Sequence, residues 1–130
     1  MSEPIWLSRQ VVELIHFEQL VEHGGCYGIR DENALESAIA RPQQLRSYRA
    51  DATLPGLAAS LCVGLVRNHP FVDGNKRAGF LAAYVFLRLN GLELTATEDD
   101  VASTIEAVAS GSVDEAGLAT WLAARSRARR

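Results

Sequence analysis

Several residues with different chemistry fall within one short stretch, HPFVDGNKR, from His69 to Arg77. A histidine has an ordinary pKa of about 6.5 and can take a proton at neutral pH. Asp73 supplies the hard oxygen ligand that Mg²⁺ uses beside substrate phosphates. Lys76 and Arg77 supply the charge and the planar fork that bind phosphate oxygens. A base, a metal ligand and a phosphate-binding pair so close together predict a phosphate-transfer site.

The same stretch is predicted to end one helix and to begin another. Pro70 disfavours helical geometry at His69, so the preceding helix should end near residue 68. The Asp73-Gly74 dipeptide is a turn signal, so the next helix should begin near Asn75.

Four residues therefore fall at the first turn of this second helix: Gly74, Asn75, Lys76 and Arg77. Backbone N–H groups lack partners there, and the helix dipole favours an anion. Two cations at this end are unfavourable by roughly a few tenths of a kcal/mol each, unless an anion binds between them. A phosphate resolves the conflict because it binds N–H groups, an arginine fork and a lysine together.

A purely structural interpretation of the stretch stays open. A turn rich in proline, aspartate, glycine and asparagine is a common connection between two antiparallel helices. A histidine beside a proline is more often a packed or capping residue than a catalyst. The flanking segments favour the functional interpretation, because both are predicted to be buried and so to hold the loop in place.

Those flanking segments, Leu57 to Asn68 and Asn75 to Asn90, carry apolar residues on every side of a helix. In the first they are Leu57, Leu61, Cys62, Val63, Leu65 and Val66. In the second they are Phe80, Leu81, Tyr84, Val85, Phe86 and Leu87. A helix that is apolar all round lies at the centre of a domain.

Further helices are predicted around this central pair. The first is capped by Ser8 and ends at Gly24, and its apolar residues recur at three- and four-residue steps. Those residues are Leu7, Val11, Leu14, Phe17 and Val21. Asp31 can cap a second helix, which is predicted to stop before Pro42.

The end of the chain contains two capping boxes, Thr97 with Asp100 and Ser112 with Glu115, and each is predicted to open a helix. The polar segment between residues 43 and 55 lacks periodicity and is predicted to be an irregular surface flap. The basic tail 126–130 is predicted to be frayed. The sequence thus predicts a single all-α domain over residues 1–130, with about six helices and the candidate active-site loop between the two central ones.

Composition excludes several classes of protein. The 130 residues are 48% hydrophobic and 22% charged, as in globular domains, and the net charge of −3 provides no basic field for direct nucleic-acid binding. The apolar runs are too short to span a membrane, and the first residues lack the pattern of a signal peptide. We therefore expect a cytoplasmic protein without membrane contact.

Two cysteines and two further histidines could bind metals or form bridges, but a structural role is favoured for them. Cys62 lies in an apolar helical run, where a reduced core thiol is expected. His16 and His23 are interpreted as structural or surface residues. A metal site that combines them with Cys26 is disfavoured, because the helical phase does not bring the three together.

The motif HPFVDGNKR resembles the signature of the Fic/Doc (Fido) superfamily, His-x-Phe-x-Asp/Glu-Gly-Asn-x-Arg. The lysine before the arginine is similar to the Doc branch, the death-on-curing toxins of bacterial and phage toxin–antitoxin modules. Two further segments, Glu22 to Gln43 and Gly79 to Gly91, also resemble Doc-family sequences. The resemblance implies a compact helical Fido fold and a transferase that uses ATP and Mg²⁺.

The resemblance also implies roles for matching positions. His69 would be the general base that deprotonates a hydroxyl of a target protein, Asp73 would bind Mg²⁺, and Pro70 and Phe71 would anchor the loop. The residues that would hold the nucleotide phosphates are Gly74, Asn75, Lys76 and Arg77. The implied reaction is phosphorylation of a Ser/Thr hydroxyl of a translation factor, elongation factor Tu, which inhibits translation.

Two departures from the family pattern bear on this reaction. Fic members that transfer AMP place a glycine where this chain has Lys76 and a second arginine where it has Phe80. Both departures favour phosphate transfer, and AMP transfer (AMPylation) by the same fold stays the alternative. A catalytically inactive, antitoxin-binding regulatory module is a third hypothesis, against which the intact motif argues.

The resemblance finally implies partners. Many Fic proteins carry an inhibitory Ser/Thr-x-x-x-Glu-Gly helix, but no serine or threonine here is followed four residues later by glutamate. Inhibition would then come from a cognate antitoxin, whose tail folds as it binds the N-terminal helices. The segment from Arg46 to Leu54 would be the flap that docks the target chain, with contacts from Arg46, Ser47, Tyr48 and Arg49.

Overall fold

The computed structural model describes residues 3–129, in which the chain forms six helices and one two-stranded sheet. The elements are α1 (Arg9–His23), α2 (Glu32–Tyr48), α3 (Leu54–Asn68), α4 (Asn75–Leu89), β1 (Leu92–Leu94), α5 (Glu98–Ser110), α6 (Glu115–Ala124) and β2 (Ser126–Ala128). The predicted all-α class and the predicted number of helices are confirmed.

Helix α3 is the central element of this arrangement. Every residue from Leu57 to Val66 is buried, and α3 packs against α2, α4 and α6. Helix α4 packs against α3, α1 and β1. The two segments predicted to be apolar all round are therefore the central pair, and the loop of residues 69–74 connects them.

Five of the six helices in residues 3–129 begin at a side chain that accepts a hydrogen bond from the backbone. The predicted caps Ser8, Asp31 and Thr97 are confirmed. The prediction for Ser112 is wrong, because Asp114 caps α6 through its Oδ1, 2.7 Å from the Gly117 nitrogen. The Ser112 hydroxyl instead lies 2.9 Å from that of Ser110.

The prediction that α2 stops before Pro42 is wrong, because the helix continues to Tyr48. A proline inside a helix removes one hydrogen bond and costs about 3 kcal/mol. Packing against α3 offsets that cost: Pro42 is buried, and Arg41 donates to the Ser60 carbonyl and pairs with Glu115. Of the predicted irregular flap, only residues 49–53 are outside helices.

Helix α1 exists as predicted, but most of its apolar stripe is exposed, and of the five residues only Leu7 lies in the core. Leu14, Phe17 and Val21 are 55%, 50% and 71% exposed. The face that packs inward carries two polar residues and consists of Val12, Ile15, His16, Gln19 and Leu20. The periodicity therefore predicted the helix correctly, although most of the side chains that carry it are exposed.

The end of the chain is a strand where a frayed tail was predicted. β2 pairs antiparallel with β1, with Leu92 opposite Ala128 and Leu94 opposite Ser126. The rest of the predicted tail includes residue 130, which lies outside the described residues. Both cysteines are free, with Cys62 buried as predicted. Within residues 3–129, no helix combines the length and hydropathy needed to cross a membrane.

Candidate active site

His69 follows α3 directly and has a left-handed backbone, with φ 50° and ψ 53°. Its side chain is exposed, whereas the next two residues, Pro70 and Phe71, are buried. The imidazole therefore stands at the surface of a loop that is attached to the core through the following phenylalanine.

The side chain of Asn75 holds this loop closed from the inside. It is 4% exposed, its Oδ1 accepts from the Phe71 nitrogen at 3.0 Å, and its Nδ2 donates to the Phe71 carbonyl at 3.0 Å. These two bonds fix which end of the amide is the nitrogen. The amide of Asn75 thus orients the loop, and only its backbone N–H is left for an anion.

The second hydrogen on Asn75 Nδ2 determines which ring nitrogen of neutral His69 carries the proton. Nδ2 lies 3.2 Å from His69 Nδ1, so Nδ1 acts as the acceptor. In the neutral ring the proton is then carried by Nε2, because one ring nitrogen donates when the other accepts.

His16 supports the loop from the neighbouring helix α1. Its buried imidazole lies parallel to the Phe71 ring, with centroids 3.7 Å apart and planes inclined by 6°. Its Nε2 lies 2.7 Å from the carbonyl oxygen of Asp73, which can only accept, so this nitrogen donates. The structural interpretation of His16 is therefore correct, and the residue that it supports is the candidate metal ligand.

The carboxylate of Asp73 is exposed and is oriented by two backbone N–H groups. Oδ1 accepts from Gly74 at 2.9 Å and Oδ2 from Cys26 at 3.3 Å. Gly25 makes the second approach possible, because a Cβ there would lie 2.9 Å from Asp73 Oδ2. A single oriented carboxylate suits a cation that takes its remaining ligands from phosphates and water, as Mg²⁺ does.

Helix α4 begins at Gly74, which has a φ of 78° and provides no side-chain cap. The Gly74 N–H is taken by Asp73, which corrects its predicted place among the groups open to a phosphate. The N–H groups of Asn75, Lys76 and Arg77 lie in the first turn, where the helix dipole favours an anion. The five other helices of residues 3–129 each have a side-chain N-cap, and α4 has none.

The two cations of the motif differ in their surroundings. Lys76 Nζ lies 2.7 Å from a carboxylate oxygen of Glu106 on α5, and both side chains are about half exposed or more. Arg77 is exposed and forms no ion pair within residues 3–129. Its guanidinium is free to bind an incoming anion.

A cavity of about 890 Å³ opens between α4, α5 and the loop. Its lining combines His69 and residues 73–77 of the motif with further polar side chains of α1 and α5 and with apolar side chains including Leu81, Tyr84, Val101 and Ile105. Cavities of this size commonly hold small ligands, and this one offers apolar surface beside groups that could bind an anion.

Other predicted site residues lie elsewhere. Residues 46–49 form the last turn and C-cap of α2, and none of them lines the cavity. The irregular flap is thus wrong for residues 46–48, and docking of a target by Arg46, Ser47, Tyr48 and Arg49 stays a prediction. In the described part of the chain, no three His, Cys, Asp or Glu side chains gather to hold a metal, which excludes the set of His16, His23 and Cys26.

Comparison with known protein families adds a decisive observation. Residues 6–87, well over half of the chain and including the whole candidate loop, match the Fic/DOC family. The chain belongs to the Fic/DOC family.

Two relatives of this Fic/DOC chain are named as Doc proteins. This chain is 44% identical over 81 residues to the toxin Doc of Mycolicibacterium smegmatis, and the match covers 61% of this chain and 62% of that protein. It is 28% identical over 116 residues to the protein kinase doc of Escherichia phage P1, covering 89% and 91% of the two chains. The first match therefore spans a little under two-thirds of the mycobacterial protein.

Three parts of this Fic/DOC site were missed by sequence reasoning. These are the support of Asp73 by His16, the turn at Gly25 and Cys26, and the pairing of Lys76 with Glu106. Each joins residues at least 30 positions apart, so no local pattern could predict it. The one available signal was the polar pair His16 and Gln19 on one face of α1.

Proposed function

We propose that this chain is a Doc-type toxin, a transferase that uses ATP and Mg²⁺ to phosphorylate a Ser/Thr hydroxyl of a translation factor. The observation that carries the proposal is the uncapped first turn of α4, which lines a cavity of about 890 Å³ together with Arg77, a guanidinium without an ion-pair partner within residues 3–129. Membership of the Fic/DOC family and the names of both relatives, a Doc toxin and a Doc protein kinase, support it.

Phosphate is the anion that these groups suit best. Its oxygens can accept from first-turn N–H groups, from the Arg77 fork and from the Lys76 ammonium at once. Phosphoryl transfer depends mainly on positioning and on stabilising charge, and both are provided by groups on a buried helix. The apolar side of the cavity would bind the base of the nucleotide.

Asp73 would hold Mg²⁺, which neutralises charge on the phosphates when it is bound. The two N–H groups that orient the carboxylate come from opposite sides, Gly74 on the loop and Cys26 on the preceding turn. The chain thus presents one fixed carboxylate beside the phosphate-binding turn, which fits a cation shared with the nucleotide.

His69 would accept the proton of the target hydroxyl. The hydroxyl oxygen forms a bond to the γ-phosphorus of ATP as the bond to the β–γ bridging oxygen breaks, and ADP leaves. In the neutral ring the free lone pair is on Nδ1, which Asn75 contacts at 3.2 Å, a long distance for a hydrogen bond. The hydroxyl must replace this contact, or the ring proton must move from Nε2 to Nδ1.

The test uses purified protein, elongation factor Tu and ATP labelled at either the α- or the γ-phosphate. We expect label on the factor only from γ-labelled ATP, a mass increase of one phosphate, and neither with His69→Ala. Label from the α position alone would replace the proposal with AMP transfer, in which pyrophosphate leaves. Growth inhibition in cells by His69→Ala, as strong as by the unchanged protein, would instead favour the inactive regulatory module.

A cognate antitoxin is the proposed regulator, and helix α1 offers a surface for it. The exposed apolar residues of α1 continue into Tyr27, whose ring meets Phe17 edge-on with centroids 6.0 Å apart. Such a stripe at three- and four-residue spacing suits the apolar face of a partner helix. A disordered antitoxin tail that folds on this surface would inhibit the toxin, since this sequence contains no inhibitory Ser/Thr-x-x-x-Glu-Gly motif.

A further inference from the structure

The backbone of His69 adopts a conformation that its residue type disfavours. In residues 3–129 it is the only residue besides glycines with a positive φ. The left-handed region is unfavourable for a residue with a Cβ, so neighbouring groups must hold His69 there. The question is which groups hold the candidate base.

The usual helix ending is not available at this position. Helices that end in a left-handed residue commonly satisfy their last carbonyls with backbone N–H groups of the residues that follow. Here the following residue is Pro70, which has no N–H. The last carbonyls of α3 therefore need a donor from another part of the chain.

Arg30 supplies that donor with both arms of its guanidinium. Nε donates to the His69 carbonyl at 2.6 Å, and an Nη donates to the Asn68 carbonyl at 2.9 Å. The planar fork matches two successive carbonyls, and a positive charge suits the negative end of the α3 dipole.

The backbone around Arg30 is attached to the same loop. Its N–H donates to the Pro70 carbonyl at 2.7 Å, and the Asp31 N–H donates to that oxygen at 3.1 Å. The Val72 N–H donates to the Gly28 carbonyl at 3.0 Å. Because Asp31 also caps α2, this short pairing joins the His69 loop to a long helix.

We propose that Arg30 is a positioning residue, which fixes the direction of the His69 imidazole by binding the carbonyls of the two peptides that flank the His69 Cα. Arg30 bonds to the backbone of His69 and does not line the cavity, so it acts through His69. The catalytic consequence rests on the proposed function, whereas the effect on the imidazole does not.

The chain offers a matched control for the test. Arg67 uses the same two arms of its guanidinium on two carbonyls, Val108 at 3.2 Å and Val113 at 3.0 Å, on the α5–α6 side of the domain. Replacing Arg30 or Arg67 by methionine removes an equivalent pair of bonds, but only Arg30→Met removes those of His69. The chain has three histidines, so its imidazole NMR spectrum is simple, and His69→Gln assigns the signal.

We expect Arg30→Met, at fixed pH, to shift and broaden the His69 imidazole signals while those of His16 and His23 keep their positions. Arg67→Met should leave all three unchanged, although both variants should melt at a lower temperature. Unchanged His69 signals in folded Arg30→Met would overturn the proposal. If Arg30→Met does not fold, Arg30→Lys against Arg67→Lys decides in the same way, because lysine cannot span two carbonyls with a planar fork.

An activity measurement gives the catalytic consequence. Arg30→Met should lower the turnover of labelled phosphate transfer on the order of 10²-fold, as for a catalytic group displaced by about 1 Å, with little change in the KM for ATP. Arg30→Lys should recover part of that loss. Transfer equal to that of Arg67→Met would contradict the positioning role, whereas no transfer by the unchanged protein would contradict only the proposed function.

Discussion

The imidazole of His16 and the ring of Phe71 lie face to face, 3.7 Å apart at their centroids, and the same imidazole binds the Asp73 carbonyl at 2.7 Å. One buried side chain of α1 therefore contacts both the apolar anchor and the carboxylate-bearing residue of the loop. The loop is thus held by His16 of α1, by the side chain of Asn75 and by the segment around Arg30.

Two replacements of His16 separate its two contacts. His16→Phe keeps an aromatic ring against Phe71 but loses the bond to Asp73, and His16→Gln keeps a donor but loses the stack. We expect each to lower the free energy of unfolding by about 1–3 kcal/mol, as for the loss of a buried polar contact. Urea denaturation measures this, and Mg-ATP calorimetry should show the larger loss of affinity in His16→Phe. Glu18→Gln, at an exposed position of α1 outside the cavity lining, is the control and should change neither quantity.

Arg77→Met should remove most of the affinity for Mg-ATP, because this guanidinium has no ion-pair partner in the described part of the chain and faces the cavity. A charge-assisted hydrogen bond contributes about 1.5–3 kcal/mol, so we expect a loss of roughly 10- to 150-fold. Arg88→Met, on the exposed surface at the other end of α4, is the matched control. Equal affinities of the two variants in calorimetry would exclude a phosphate site at this turn.

Glu106→Gln should strengthen nucleotide binding. A carboxylate oxygen of Glu106 lies 2.7 Å from Lys76 Nζ. Removal of the Glu106 charge leaves the Lys76 ammonium available to a phosphate. Because exposed ion pairs contribute only about 0–1 kcal/mol, the expected gain in Mg-ATP affinity is up to about 5-fold. Glu98 also lines the cavity. Glu98→Gln removes a charge of the same sign and size, so this variant is the control for the general electrostatic field of the cavity. A gain of equal size in both variants would show that the direct pair has no specific effect.

The exposed stripe of α1 should be dispensable for folding and required for the antitoxin. Phe17→Ser together with Val21→Ser replaces side chains that are 50% and 71% exposed, so the melting temperature should change little. Coexpression with the cognate antitoxin should then fail to protect cells from growth inhibition. Leu89→Ser, an exposed apolar residue at the far end of α4, should leave protection intact. Protection retained by the double variant would exclude α1 as the docking surface.

The buried thiol of Cys62 makes stability fall at alkaline pH. Burial raises the pKa of Cys62 to about 12, whereas an exposed thiol in the unfolded chain releases its proton near pH 8.5. Between these values the folded state binds more protons, so the free energy of unfolding falls as pH rises, by at most about 1.4 kcal/mol per pH unit. Urea denaturation from pH 8 to 10.5 measures the slope. Cys62→Ala should flatten it, and Cys26→Ala at an exposed position should not.

The parts of the fold that the sequence predicted correctly depend on local signals. Ser8, Asp31 and Thr97 cap helices because each accepts from an N–H three residues ahead, which is visible in the sequence. The two central helices were predictable because apolar residues on all sides leave no other place for them. The candidate loop was predictable because Pro70 limits the helix before it.

The errors arose where tertiary contacts outweigh local preference. Pro42 continues a helix because packing on α3 offsets the missing bond, and nothing within α2 indicates that packing. The buried face of α1 could not be predicted from its apolar stripe, because most of that stripe is exposed, while His16 is buried and bonds to Asp73, 57 residues away. The role of Asn75 was only partly predictable, since its amide closes the loop and leaves a backbone N–H for an anion.

Both ends of the described chain meet at the same end of α4. The Asn90 amide accepts from the Ile5 nitrogen at 2.8 Å and donates to its carbonyl at 3.0 Å, and Arg129 donates to the Gly91 carbonyl at 2.8 Å. The candidate active site lies at the opposite end of this 15-residue helix, about 22 Å away. An affinity tag or a fluorescent reporter joined to the chain near Ile5 or Arg129 would therefore lie at the end of α4 away from the phosphate-binding turn, and immobilised protein should still bind nucleotide.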